Sequence, residues 1–337
     1  MEKVNVGVIG VGRIGSMHTR NLKYQVSGVN VVAVSDVIEE AAQKIAQELE
    51  ISIVEKDYHC ILENNDIDAV VICSSTDTHA QIISEAAQAR KHIFCEKPIA
   101  LDIEKIDQAL TAVRKAGVKL QIGFNRRFDP SFKKAKELVA KGTIGIPHLV
   151  RITSRDPEPP PISYIKVSGG IFLDMMIHDF DMARFLLSQE VSELMAVGSC
   201  LVDPAIGEAG DIDTAIVTLK YEGGAWGTID NSRKAVYGYD QRIEIFGSEG
   251  CVIVGNPKPT EVIINGAEDT KTDKLLFFFI ERYQEAYLAE MEEFIKCIQE
   301  NKEPSVSGLD GKIAVQIGYA AKESLNKGFF VNINYLE

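Results

Sequence analysis

Three residues carry side chains suited to proton transfer: Lys97, Asp174 and His178. Asp174 and His178 are four residues apart in a segment with helical spacing (169–187), so their side chains are predicted to share one helical face. A carboxylate beside an imidazole orients the ring and raises its basicity, as a base that deprotonates a hydroxyl requires. A solvated structural Asp–His pair is the alternative, and the presence of Lys97 weighs against it.

A glycine-rich segment lies close to the start of the chain. Gly10, Gly12 and Gly15 form a G-x-G-x-x-G pattern directly after an apolar run and directly before a helical pattern. In that context Gly10 makes a tight turn, Gly12 lets the backbone approach a pyrophosphate, and Gly15 allows close helix–strand packing. The helix N-terminus at Arg13 and Ile14 supplies N–H groups and partial positive charge for the phosphates. A glycine turn without a ligand is the alternative.

Asp36 ends the second predicted strand, about 20 residues after Gly15. An acidic side chain at this place accepts hydrogen bonds from the adenosine ribose hydroxyls and repels a 2′-phosphate. No lysine or arginine follows within residues 37–43 to compensate that repulsion. The predicted cofactor is therefore NAD, and the alternative is that Asp36 only caps the following helix.

The elements that position these residues can be read from the apolar pattern of the first 125 residues. Longer amphipathic stretches, such as 39–49 and 80–89, separate short apolar runs at 4–10, 30–36, 69–75, 91–97 and 119–125. This alternation predicts an α/β Rossmann domain, a doubly wound parallel sheet with helices on both faces. Lys97 then lies at the carboxyl end of the fifth strand, where open α/β sheets bind ligands.

The pattern changes after residue 125. A helix is predicted at 129–142, a strand at 146–156, an irregular proline-rich loop at 157–161, alternating segments from 190 to 265, and closing helices at 281–299 and 309–326. Consecutive strands with short connections indicate an α+β domain with a largely antiparallel open sheet. We predict an NAD-binding domain at 1–125 and a substrate-binding and oligomerisation domain at 126–337, with a C-terminal helix packing back on the first domain.

Composition excludes several classes of partner. Among 337 residues, 49 acidic and 36 basic side chains give a formal charge of −13, and no basic tract occurs, so neither nucleic acid nor an anionic membrane is an expected partner. The six cysteines are dispersed, which favours a reducing compartment. The N-terminus does not resemble a signal peptide, and we expect a cytoplasmic protein. No pair of the remaining histidines has metal-ligand spacing with acidic support, so no metal is predicted.

Four segments carry a resemblance to a known family: GVIGVGRIG (7–15), CEKP (95–98), GFNRRFDP (123–130) and GGIFLDMMIHDFDMARF (169–185). They resemble the glucose–fructose oxidoreductase/inositol dehydrogenase (Gfo/Idh/MocA) family over nearly the whole chain. The resemblance implies an NAD-dependent dehydrogenase that oxidises a secondary hydroxyl of a cyclic polyol, with myo-inositol to 2-keto-inositol (inosose) as the first expectation. It also implies a homo-oligomer, a tetramer in the family, formed through the open face of the second sheet.

The resemblance assigns roles by position. Lys97 would contact the reacting hydroxyl, His178 would exchange its proton, and Asp174 would orient His178 and hold substrate. Further cofactor contacts are implied for Ser74, Thr76, His79, Glu96 and Asn125, although the proline of the family's turn is absent from CSSTDTH. Residues implied to line the polyol pocket are Arg126, Arg155, Asp156, Tyr237 and Tyr239. The two tyrosines, two apart in a predicted strand, are expected to face one side.

Two other functions remain open from the sequence. A pyranose sugar dehydrogenase would use the same chemistry, and a non-catalytic NAD-binding regulator would use only the Rossmann domain. The combination of Lys97, Asp174 and His178 argues against the regulator, which has no need of all three. Formation of NADH across a panel of polyols distinguishes the alternatives.

Overall fold

The computed structural model describes residues 3–335 and divides into two compact units. Unit 1 contains the residues up to Phe128 together with Glu285–Val315. Unit 2 contains Asp129–Gln284 together with the residues from Gln316 onward. None of the helices within residues 3–335 is both long and apolar enough to cross a bilayer.

Unit 1 is built on a six-stranded parallel sheet. Its strands are β1 (Val4–Ile9), β2 (Val29–Ser35), β3 (Ile53–Glu55), β4 (Ala69–Ile72), β5 (His92–Glu96) and β6 (Leu120–Gly123). The helices between them are α1 (Arg13–Tyr24), α2 (Glu39–Leu49), α3 (His59–Glu63), α4 (Thr76–Gln88) and α5 (Ile103–Ala116). The strand order β3-β2-β1-β4-β5-β6 reverses direction between β1 and β4, which creates the crevice where such sheets bind ligands. The predicted Rossmann domain is confirmed.

Unit 2 begins after a short 3₁₀ turn at Asn125–Phe128. Its helices are α6 (Pro130–Ala140), α7 (Ile162–Ser168), α8 (Ile171–Asp174), α9 (Ile177–Leu187), α10 (Pro204–Glu208) and α11 (Phe279–Arg282). Its strands are β7 (Pro147–Arg155), β8 (Val191–Ser199), β9 (Thr214–Tyr221), β10 (Trp226–Ser232), β11 (Asp240–Gly247), β12 (Gly250–Val254), β13 (Ile263–Asn265) and β14 (Thr270–Thr272). The chain closes with α12 (Gln284–Gln299), α13 (Gly308–Lys327) and β15 (Val331–Asn332).

The main sheet of unit 2 has seven strands in the order β12-β11-β7-β10-β9-β8-β15. Its paired strands run antiparallel except for β7 and β10, which are parallel. The predicted α+β domain with a largely antiparallel sheet is confirmed, with that one parallel pair. Strands β13 and β14 form a separate two-stranded ribbon.

One face of this sheet is covered and the other is open. Burial alternates along β9 and β10, so successive side chains point to opposite faces. On the covered face Asn231 of β10 donates to Asp179 of α9 with a separation of 2.9 Å. On the open face Phe246, Leu149 and Trp226 are cross-strand neighbours on β11, β7 and β10, and each is at least 40% exposed. Unit 2 therefore presents an uncovered apolar row.

The core of unit 1 draws on both of its chain segments. Val6, Val71 and Phe94 from the central strands are fully buried, and Met291 and Phe294 of α12 are buried in the same cluster. The rings of Phe94 and Phe294 lie 6.0 Å apart in an edge-on arrangement. Helix α12 is thus part of the Rossmann core although its sequence follows unit 2. The assignment of residues 126–337 to substrate binding and oligomerisation stays a prediction.

Candidate active site

The glycine loop of unit 1 has the steric features that a phosphate cradle needs. Gly10 has a φ of +85°, and a Cβ there would lie 2.6 Å from the backbone nitrogen of Ser74. A Cβ on Gly15 would lie 1.9 Å from the carbonyl oxygen of Gly10, so only glycine permits this closeness of helix and turn. A Cβ on Gly12 would meet nothing within 4 Å, which leaves open space at the N-terminus of α1. That space is where a pyrophosphate would lie.

Asp36 is held by the backbone of this loop. Its carboxylate accepts a hydrogen bond from the Val11 N–H at 2.8 Å and another from the Ile38 N–H at 2.9 Å. The side chain is half-buried and lies directly after β2. The carboxylate therefore fixes the glycine loop, and its contact with the ribose of a cofactor stays a prediction.

Hydrogen bonds hold the turn before α4 in place. Ser74 Oγ lies 2.7 Å from Thr78 Oγ1, and Thr76 is the first residue of the helix. His79 is buried, with Nδ1 2.9 Å from the carbonyl oxygen of Pro98 and Nε2 3.0 Å from that of Ser74. Burial lowers the pKa of His79, although both backbone contacts act in the opposite direction. The ring joins the turn after β4 to the segment after β5, and its contact with a cofactor stays a prediction.

Glu96 and Lys97 occupy the carboxyl end of β5. Lys97 is half-buried, and the Glu96 carboxylate packs against Gly123 of β6, where a Cβ would lie 2.9 Å from Oε2. Asn125 and Arg126, directly after β6, are buried. Within residues 3–335 the side-chain nitrogen of Asn125 has no hydrogen-bond partner. A buried amide N–H group without a partner is suited to donate to a ligand.

The predicted helix over 169–187 is interrupted. It consists of α8, which ends at Asp174, and α9, which begins at Ile177, so Asp174 and His178 do not lie on one continuous helix as the spacing predicted. The N–H of Met176 bonds to the carbonyl of Ile171, five residues back, which widens the turn at this point. Both functional side chains are half-buried.

Asp174 takes part in a cluster of side chains, the Asp174 cluster, formed with Tyr164, Asp211 and Arg233. The hydroxyl of Tyr164 donates to Asp174 Oδ1 at 2.9 Å, and Arg233 Nη1 lies 3.3 Å from Oδ2. Arg233 also pairs with Asp211 at 3.5 Å, and Asp211 accepts from the N–H of Ile171 at the start of α8. Sequence analysis missed Tyr164, Asp211 and Arg233 because no local pattern distinguishes them from surface residues.

Burial sets the electrostatics of the Asp174 cluster. The Arg233 side chain is only 1% exposed, and its charge faces two carboxylates that are nearly as buried. A buried charge without partners costs several kcal/mol, so the ion pairs of Arg233 with its two acidic partners offset the cost of burying these side chains. Burial raises the pKa of Tyr164, and the charge of Asp174 raises it further, so Tyr164 stays a neutral hydrogen-bond donor.

Arg155 lies on the open face of the sheet. Its Nη2 is 2.6 Å from Asp230 Oδ1, and its Nη1 donates to the hydroxyl of Tyr237 at 3.1 Å. Asp230 precedes Asn231, which faces α9, so the strand alternation directs Asp230 and Arg155 away from that helix. This packing does not support the predicted position of Arg155 beside a substrate held by α9. Asp156, directly after β7, accepts through its carbonyl from the N–H of Ala235.

Tyr237 and Tyr239 do not lie in a strand and do not face one side, so that prediction is wrong. They belong to the loop before β11, and Gly238 between them has a φ of +124°, which breaks the strand alternation. Tyr237 is exposed and donates to Asp240 at 2.8 Å. Tyr239 is buried, with its ring 6.0 Å from that of Tyr283 and perpendicular to it. Of the two tyrosines, Tyr237 is therefore the exposed one and Tyr239 the buried one.

A second cluster that the sequence did not predict lies inside unit 1. His18, Glu96 and Glu290 come from α1, β5 and α12, and their potential ligand atoms all lie within 4.8 Å of one another. His18 and Glu290 are fully buried. We call these three residues the buried triad.

Both parts of the chain match known families and proteins. Residues 4–124 match an oxidoreductase family with an NAD-binding Rossmann fold, and residues 132–253 match the GFO/IDH/MocA C-terminal domain. The myo-inositol 2-dehydrogenase of Thermotoga maritima is 51% identical over 324 residues, covering 96% of this chain and 97% of that protein. The inositol 2-dehydrogenase of Rhizobium meliloti is 46% identical over 322 residues, covering 96% and 97%.

A solved complex is also similar in structure. The crystal structure of a myo-inositol dehydrogenase from Lactobacillus casei in complex with NAD(H) and myo-inositol matches with a TM-score of 0.89. It is 28% identical in sequence, and the match covers 99% of this chain and 98% of that chain.

Proposed function

The chain belongs to the Gfo/Idh/MocA oxidoreductase family, and from that premise we propose that it oxidises myo-inositol to 2-keto-inositol with NAD. The observation that carries the proposal is the Asp174 cluster, in which Tyr164 and Arg233 fix the Asp174 carboxylate four residues before His178. A binding module has no use for a carboxylate fixed in this way so close in sequence to an imidazole. The 51% and 46% identical relatives are both inositol 2-dehydrogenases, which supports the substrate.

The residues of unit 1 fit NAD. Gly12 leaves open space at the N-terminus of α1, Asp36 offers carboxylate oxygens for ribose hydroxyls, and Asn125 has an unused amide donor. Ser74, Thr76, His79 and Glu96 complete the proposed set. When bound, NAD supplies the hydride acceptor, while the protein contributes binding and orientation.

Each catalytic side chain has one task in the proposed reaction. Lys97 donates a hydrogen bond to the oxygen of the reacting hydroxyl and stabilises negative charge there. His178 accepts the hydroxyl proton as general base. Asp174, fixed by Tyr164 and Arg233, orients the imidazole and favours the charge that it gains. The hydride leaves the substrate carbon for NAD, so the products are a ketone, NADH and one proton.

The proposed substrate contacts are mainly polar. Arg126 and Asp156 are kept from the sequence prediction, whereas Tyr237 is dropped together with Arg155, to which it is hydrogen-bonded. Tyr164 joins them because its hydroxyl lies beside Asp174. A site that hydrogen-bonds several hydroxyls rejects analogues without them, since its buried polar groups are left unpaired. We therefore propose myo-inositol or a close isomer as substrate, and a pyranose as the second candidate.

The test is a substrate panel with NAD, followed by the absorbance of NADH. We expect turnover of myo-inositol or an isomer, weaker turnover of glucose, and none of cyclohexanol or short 2-hydroxy acids. Activity on a hydroxy acid with none on any inositol would overturn the substrate. Binding of NAD without turnover of any polyol would favour the regulator.

We further propose that the protein forms a homo-oligomer, a tetramer as in the family, through the open face of unit 2. The support is the row of Phe246, Leu149 and Trp226, because apolar side chains in contiguous rows mark protein contacts. Light scattering after size-exclusion chromatography tests this: Leu149→Glu should dissociate the assembly. A wild-type monomer would contradict it. A cytoplasmic location is proposed from the cysteines, which are all free.

A further inference from the structure

The buried triad contains an acid that the proposed reaction does not use. Glu290 on α12 is fully buried, and within residues 3–335 neither of its carboxyl oxygens has a hydrogen-bond partner. Its Oε1 lies 3.7 Å from His18 Nε2. An ionised carboxylate in such surroundings would cost several kcal/mol, so Glu290 is held as a neutral acid.

His18 connects this acid to the end of β5. Its Nε2 lies 2.9 Å from Glu96 Oε1, within hydrogen-bond distance. The imidazole is wedged edge-on against the rings of Phe94 and Tyr287, at 5.3 and 5.7 Å between centroids. The ring is therefore fixed in orientation between the two carboxyl groups.

Glu96 is the member of the triad that reaches solvent and the proposed cofactor. Its side chain is 14% exposed, and it lies at the carboxyl end of β5, where open sheets bind ligands. Gly123 leaves room for the carboxylate on β6. A proton can thus pass between the triad and solvent at Glu96, although Glu290 itself is fully buried.

The two carboxyl groups influence each other. Burial raises the pKa of Glu290, and the charge of Glu96 raises it further. Among the described residues, the titratable groups that face Glu290 are His18 from α1, Glu96 from β5 and Cys73 next to β4. The pKa of the Cys73 thiol is raised by burial and then by Glu96, Cys95 and Glu290. Two like charges this close in a low dielectric do not both form readily, so the pair holds one proton.

We propose that the buried triad is a proton store whose occupancy follows the charge of the nicotinamide ring. The ring of NAD⁺ is positive and favours the triad with one proton fewer, whereas the ring of NADH is neutral and allows the proton to remain. Binding of NAD⁺ therefore releases a proton from a carboxyl group of the triad to solvent, and binding of NADH does not. No electron enters the triad. Glu290 and His18 act as positioning residues in this scheme.

The proposal rests on the proposed function in one respect, because it takes Glu96 as part of the NAD site. It does not depend on the polyol. It predicts that the affinity ratio of NAD⁺ to NADH shifts toward NAD⁺ as pH rises, by up to about tenfold per pH unit for one linked proton.

Calorimetry without substrate tests the proposal. Titration of NAD⁺ and of NADH in two buffers of different ionisation enthalpy gives the protons taken up on binding. We expect the net number of protons that the wild-type protein takes up on binding to be higher for NADH than for NAD⁺, by as much as one proton. Glu290→Gln should abolish that difference while both nucleotides still bind. Glu292→Gln, on the exposed side of the same helix, should keep it.

Three outcomes would overturn the proposal: no difference in wild type, an unchanged difference in Glu290→Gln, or no binding of either nucleotide. Infrared spectra of the ligand-free wild type provide a second measurement that needs no variant. They should contain the carbonyl band of a buried protonated carboxylic acid, and its absence would refute the store. Stoichiometric metal in the purified protein would also refute it, since the triad's atoms would then be ligands. Failure to oxidise inositol with an intact proton difference would refute only the proposed function.

Discussion

The glycine loop of unit 1 and the Asp174 cluster of unit 2 are held in place by different kinds of interaction. The loop is shaped by its backbone: Gly10, Gly12 and Gly15 allow a tight turn, open space and close packing of α1. One carboxylate, that of Asp36, accepts a hydrogen bond from the loop and holds it in place. The cluster uses side chains: the buried Arg233 holds Asp174 by charge. A backbone cradle depends on residues that are close in sequence, whereas a charge cluster is assembled from distant segments. The first should tolerate changes of charge, and the second should not.

The sharpest test of this contrast removes the proposed base. His178→Ala should lower kcat by about 10²–10⁴, the usual value of general acid–base help, and Lys97→Ala should also lower kcat steeply. The affinity for NAD, measured by calorimetry, should stay the same because neither residue belongs to the glycine loop.

His59→Ala, at an exposed histidine of unit 1, is the matched control and should keep full activity. If His178→Ala retained most of its kcat, the proton would have to go to another group, and Lys97 would be the next to test. Activity of wild type in the oxidative direction should rise with pH through one ionisation.

Arg233→Met breaks the Asp174 cluster while keeping most of the side-chain volume. We expect the free energy of unfolding to fall on the order of 3 kcal/mol, because Asp174 and Asp211 lose their buried counter-ion. Denaturant unfolding measures the loss. Lys234→Met, at the exposed neighbour, should change stability by less than about 0.5 kcal/mol. Equal effects of the two substitutions would show that Arg233 does not stabilise the cluster.

Substitutions of Asp36 separate the contributions of hydrogen bonding and of charge to cofactor binding in unit 1. Wild type should prefer NAD over NADP by at least about tenfold in kcat/KM, or about 1.4 kcal/mol. Asp36→Asn should narrow the preference while its amide oxygen still accepts from the Val11 N–H, and Asp36→Ala should in addition weaken NAD itself. Comparable kcat/KM for the two cofactors in wild type would contradict the assignment of Asp36.

The smallest expected effect is an acid sensitivity of unit 2. Burial raises the pKa of Asp240, but hydrogen bonds from Arg242, Tyr237 and Asn256 outweigh burial and hold that pKa below its usual value. The folded-state pKa is depressed, so the stabilisation is complete above the unfolded pKa of about 3.9 and is lost as pH falls through the folded value.

Thermal unfolding from about pH 6 to about pH 2 checks this prediction. The Tm difference between wild type and Asp240→Asn should shrink toward zero at the acid end. Glu261→Gln, in an exposed loop of the same unit, should follow wild type throughout. A difference that does not depend on pH would mean that Asp240 contributes through packing rather than charge.

The same contrast explains what the sequence could predict. The sequence predicts the Rossmann sheet and its strand positions from hydrophobic periodicity. It predicts the glycine loop because the glycines that the turn requires are close together in the sequence. The break between Asp174 and His178 does not, because it needs a widened turn that helical spacing conceals. Arg233 and Tyr164 reach Asp174 only through tertiary contacts.

One missed feature left a signal. Glu290 lies between Tyr287 and Phe294, which are three residues before and four residues after it on the apolar face of α12. A buried acid is the expected meaning of a glutamate on such a face. Its partners His18 and Glu96 could not be identified without the fold, since they lie on other elements.

The two-segment core of unit 1 has a consequence for how the protein is made. When residues 1–128 have left the ribosome, Phe94 still lacks the rings and side chains that α12 places against it. The Rossmann core is therefore completed only after residues 285–315 have been synthesised, and unit 2 in turn is completed only by the residues from Gln316 onward. A gene fusion or recombination event that exchanges unit 2 would have to keep both segments of unit 1. A transplanted N-terminal half alone would carry an exposed core and would be a target for chaperones and proteases.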